Sequence, residues 1–96
     1  MPTFSERMMP HLHSLAVVML NNRHYHWLNI ITQVMAGLHA DGWGRLDNDT
    51  KLYWLQRMGS DFHPKGMGDS EYAIDPNYKA IVELIGYETR ALSKTT

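Results

Sequence analysis

Between Pro10 and Ala40 the chain carries a single fully charged side chain, Arg23. A run that long with so little charge must cover most of itself against other elements, and this limits the folds open to the chain. Its centre is Trp27 to Leu38, WLNIITQVMAGL. Trp27, Ile30, Ile31, Val34 and Leu38 recur at helical spacing with Met35 beside them, while Asn29, Thr32, Gln33 and Ala36 fall toward the other side. The repeat is the 3.6-residue one of a helix, not the alternation of a strand. Asp41-Gly42 closes the run, with Gly42 suited to a left-handed residue just past a helix end.

The same reasoning places a helix on each side. Thr3 and Glu6 have the spacing of a capping box, and Met8, Leu12, Leu15 and Met19 then share one face. Pro10 interrupts that face, so the helix either starts there or kinks there. Asn21-Asn22 reads as a turn. A β-hairpin with strands 16–20 and 23–27 competes with the helical pair, because Val17 and Val18 favour strands. Asp47 to Thr50 is a cluster of N-cap residues ahead of Leu52, Leu55 and Met58, and Gly59 is expected to end that helix. Asp75-Pro76 opens the last helix, whose inner face is Tyr78, Ile81, Val82, Ile85, Thr89 and Leu92. Gly86 inside it weakens the helix by about 1 kcal/mol relative to alanine. The expected fold is all-α, one small domain over residues 1–96, with short helices near 4–22, 24–41, 49–58 and 76–92.

Ser60 to Asp75 has no periodicity and is longer than the usual connection of ~4–6 residues. Asp61, Asp69, Glu71 and Asp75 stand against Lys65, leaving three net negative charges there in a chain whose net charge is −1. Phe62, Met67 and Tyr72 are interleaved with these acids. The sequence therefore points to a long acidic loop, outside the helix faces, that docks on a basic protein surface. Its candidate contacts are Phe62, Met67, Asp69, Glu71 and Tyr72, with Trp43 and Arg45 as a second patch.

Chemistry has little support in the sequence. There is no G-x-S-x-G, H-E-x-x-H or P-loop pattern, and no cysteine. His11/His13 and His24/His26 are two residues apart, so on helices each pair diverges and could not chelate one ion. His39, Asp41 and His63 would be the further ligands, at no spacing that matches a known zinc site. No catalytic residue, metal or cofactor is expected. The slight net charge argues against general nucleic-acid binding. Leu15 to Leu20 is too short to span a bilayer, so a cytoplasmic protein is expected. The function expected is a non-catalytic protein-binding module, of the kind of a phage-encoded inhibitor that occupies the surface of a host nuclease or defence complex. The alternative is a small helical DNA-binding or transcription-regulating protein, displaying Lys51, Gln56 and Arg57 on its third helix.

Overall fold

The computed structural model describes residues 3–95 and, among these, the side chains of all but His39, Ala40, Asp41 and Thr95. Four helices form: α1 (Phe4–Asn21), α2 (Tyr25–Asp41), α3 (Asn48–Asp61) and α4 (Pro76–Thr95). α1 packs against both α2 and α4, and α3 packs against α4. No strand occurs among the described residues, so the chain takes the helical pair and not the β-hairpin.

Each predicted stripe supplies part of the core. Met8, Leu12, Leu15 and Met19 of α1 are fully buried, as are Ile31 of α2, Met58 of α3 and Ile81 of α4. Phe4, Val34, Leu38, Leu55, Tyr78 and Ile85 complete the buried helix faces. Val82, expected inside, is 40% exposed. α1 starts at its capping box, where the Glu6 N–H donates to Thr3 Oγ1. It runs through Pro10, which is exposed, as is Glu6, whose carbonyl loses its usual partner to the proline. On α2, Gly37 lets the Trp54 ring of α3 lie directly on the backbone; a methyl group there would stand 2.8 Å from the ring.

α1 ends in a Schellman motif built without glycine. The Arg23 N–H donates to the Leu20 carbonyl and the His24 N–H to the Met19 carbonyl, closing the last turn. The pattern requires a left-handed residue, and Arg23 adopts it at φ 57°. A side chain there is strained by about 1–2 kcal/mol, partly offset because glycine loses more freedom on folding. Arg23→Gly is therefore expected to stabilise the domain by about 0.5–1 kcal/mol. A thermal melt that falls instead of rising would show that the arginine side chain makes a stabilising contact.

Candidate interaction surfaces

α3 does not stop at Gly59 but continues to Asp61, with Phe62 as its C-cap. Beyond it the chain makes two short 3-10 turns, Met67–Asp69 and Glu71–Ile74, which hand over directly to α4. Phe62, Met67 and Tyr72 are 3%, 0% and 2% exposed. The expectation that these side chains face a partner is thus corrected: they are core residues, Phe62 at the cap of α3 and Met67 and Tyr72 one in each 3-10 turn. Two glycines make this packing possible. At Gly66 an added methyl would stand 3.0 Å from the Asp61 carbonyl, and at Gly68 it would stand 2.8 Å from the Tyr78 hydroxyl. That hydroxyl donates to the Phe62 carbonyl at 2.7 Å, which ties the start of the segment to α4. Ser70 accepts from the Tyr72 N–H and donates to the Met67 carbonyl, joining the two 3-10 turns. Asp75 Oδ1 accepts from the Asn77 N–H at the head of α4. No periodicity in the sequence announces this burial, because the three side chains are held by contacts with distant elements and not by a local repeat.

The segment leaves both signs of charge outside, Lys65 as well as two acids. Asp69 and Glu71 are exposed, and Ile74 is 84% exposed. His24 holds this edge to the α1–α2 turn. Its Nδ1 is 2.9 Å from the Tyr72 hydroxyl oxygen and 3.1 Å from Glu71 Oε1. A carboxylate only accepts, so with the proton on Nδ1 the ring faces both oxygens as a donor. Asn22 Nδ2 donates to the same tyrosine oxygen at 3.5 Å. The arrangement orients Glu71 and holds Tyr72 in place.

The two His-x-His pairs are split, each member turned to a different neighbour or to solvent. His11 Nδ1 pairs with Asn77 Oδ1 at 3.0 Å while His13 is exposed. His24 meets Tyr72 while the His26 ring packs edge-on against Trp27. His63 lies exposed on the acidic segment, and its Nδ1 accepts from the Lys65 N–H. His39 and Asp41, the other candidate ligands, lie outside the described side chains.

The second predicted patch also divides. Trp43 is buried against Phe4, and its Nε1–H donates to Glu88 at 2.8 Å, while Arg45 is exposed. On α3, Arg57 lies over the Trp54 ring, 5.6 Å from its centre. It also draws down the Asp61 carboxyl, although burial dominates and pushes that group above its usual value. A raised value in the folded state means that Asp61 favours folding at low pH and loses that contribution as pH rises through its folded value. Asp61 is also the last residue of α3, where the helix dipole disfavours an anion. Asp61→Asn is therefore expected to raise the melting temperature at pH 7 by a few degrees, with the gain vanishing at pH 3. A gain of equal size at both pH values would show that charge is not the cause.

A different feature was not legible in the sequence. Along the α1–α4 contact a groove of about 660 Å³ is lined by Arg7 and His11 from α1 and by Glu83, Leu84, Tyr87 and Arg90 from α4. Tyr87 is 62% exposed. Among the described residues no ion pair engages Arg7 or Arg90. Gly86 does not mark a helix–helix contact: the space beside it is filled by the Arg90 guanidinium, 3.3 Å from where a methyl group would be.

Among the described residues no helix is long and apolar enough to cross a membrane. No family model, curated protein or solved structure matches the chain.

Proposed function

We propose that the protein is a non-catalytic binding module that docks on a basic surface of a larger protein in the cytoplasm. The observation that carries this reading is Ile74, left 84% exposed next to exposed carboxylates, on a segment whose other large apolar side chains are locked in the core. Asp69, Glu71 and Ile74 form a rigid acidic ridge with an apolar tip. Because Met67, Tyr72 and the His24 contact already fix the backbone, docking sacrifices little conformational freedom. The carboxylates would steer association with a basic partner, and Ile74 would slow its release. Basic surfaces of this kind are typical of proteins that handle nucleic acid. A nuclease of a host defence complex, blocked by occupation of its surface as a phage-type inhibitor would block it, is the partner class that fits.

Direct duplex binding through α3 is the weaker reading, because Arg57 lies over the Trp54 ring. The test begins with capture of the partner from host lysate and continues with binding kinetics. Reversing Asp69 and Glu71 to lysine is expected to slow association about tenfold and flatten its salt dependence. Ile74→Ala should speed dissociation and leave the fold intact. Kinetics unchanged in all three substitutions would place the docking surface elsewhere.

A further inference from the structure

The α1–α4 groove carries chemistry that the acidic ridge does not use. The geometry points to a binding site there for a small ligand with a phosphate head and a planar ring, the chemistry of a nucleoside monophosphate. Arg7 and Arg90 face one concavity from two helices, and no carboxylate among the described residues is ion-paired with either. Guanidinium groups bind phosphate through paired, parallel hydrogen bonds, and two of them suit a dianion better than a lone carboxylate. His11 lines the same concavity. Asn77 Oδ1 can only accept, so the His11 Nδ1–H donates to it and the ring's Nε2 is the nitrogen left for a ligand.

Tyr87 supplies the second half of the recognition. Its ring is largely exposed and lies one helical turn from Leu84 on the same groove-facing side of α4. An exposed aromatic face next to an aliphatic one is a stacking platform for a planar ring. Glu83, on the same face, is an acceptor for ring N–H groups. The groove is open to solvent along its length, and its volume of about 660 Å³ falls in the range of small-molecule sites, typically ~300–1,000 Å³. A docked helix fits less well, since the apolar floor is only Ala80 and Leu84 between charged walls. A residue that weakens the middle of a helix, Gly86, stands where the Arg90 side chain folds back along α4. Without a Cβ at position 86, the guanidinium can lie close to the α4 backbone, with Nη1 3.3 Å from where a methyl group would stand.

The test titrates the full chain with adenosine 5′-monophosphate and uridine 5′-monophosphate at low salt, followed by calorimetry and amide NMR shifts. Inorganic phosphate, adenosine and an oligoglutamate peptide serve as comparison probes. Both monophosphates are expected to bind at least tenfold tighter than phosphate or adenosine, with shifts centred on residues 7–11 and 83–90. Arg7→Gln and Arg90→Gln should each weaken binding about tenfold. Tyr87→Ser should weaken the monophosphates and leave inorganic phosphate unchanged. Gly86→Ala should raise the melting temperature yet weaken the monophosphates, a combination that loss of folding cannot produce. Monophosphates binding no better than inorganic phosphate would overturn the proposal. So would tighter binding of oligoglutamate, shifts mapping outside the groove, or unchanged affinity in both arginine variants.

Discussion

Phe62→Ala is expected to destabilise the domain by about 3–5 kcal/mol, enough to leave a chain of this size partly unfolded at ambient temperature. The ring is 3% exposed and packs near the Tyr78 ring, 6.2 Å between centres. Its removal leaves a cavity between the end of α3 and the start of α4, where the backbone cannot close in. Phe62 is the C-cap of α3, and its carbonyl is held by the Tyr78 hydroxyl. Thermal and urea melts measure the effect, with Ile74→Ala as the comparison from the same segment. Ile74 is 84% exposed, so that change should stay within about 0.5 kcal/mol. A Phe62→Ala protein that melts within two or three degrees of the parent would return residues 60–75 to the status of a free loop.

Gly68→Ala should cost about 2–5 kcal/mol, from overpacking and a broken buried hydrogen bond together. The added methyl would stand 2.8 Å from the Tyr78 hydroxyl and 3.1 Å from the His63 carbonyl oxygen. The backbone carbonyl cannot yield easily, so the hydroxyl must move, and it then leaves the Phe62 carbonyl without its donor. The cause can be isolated with Tyr78→Phe, which removes the hydroxyl. Gly68→Ala should cost measurably less in that background, giving a coupling energy of the sign expected for groups in contact. Gly59→Ala is the control. Nothing lies within 4 Å of a methyl group there, and the position is inside α3, so it should stabilise by about 1 kcal/mol. Equal effects at Gly59 and Gly68 would mean that the close approach at Gly68 does not exist.

Both experiments bear on the segment where sequence and structure part. α1, α2 and α4 were legible because each carries an apolar stripe at helical period between recognisable ends: Thr3 with Glu6, Gly42, and Asp75 with Pro76. Those signals are local, since helix hydrogen bonds and caps join residues a few positions apart. The end of α3 was misread because glycine marks a helix end only when the chain turns left-handed there. Gly59 stays helical, and α3 carries on to a cap at Phe62. Arg23 is the converse, a left-handed residue that no glycine announced.

The amino-acid sequence by itself determined the helical class, the faces of the helices and the concentration of negative charge in residues 60–75. It did so because periodicity and capping are properties of neighbours along the chain. Whether Trp43, Phe62, Met67 and Tyr72 face a partner or the interior was decided only by the tertiary structure. Their burial depends on a space bounded by elements distant in sequence: Phe4 and Glu88 for Trp43, His24 for Tyr72, Tyr78 for Phe62. The groove is the same case in reverse. Arg7 and Arg90 lie near opposite ends of the chain, and each reads locally as a solvated helix residue. They line one concavity because α1 packs against α4, a pairing set by the shapes of buried faces that carry neither arginine.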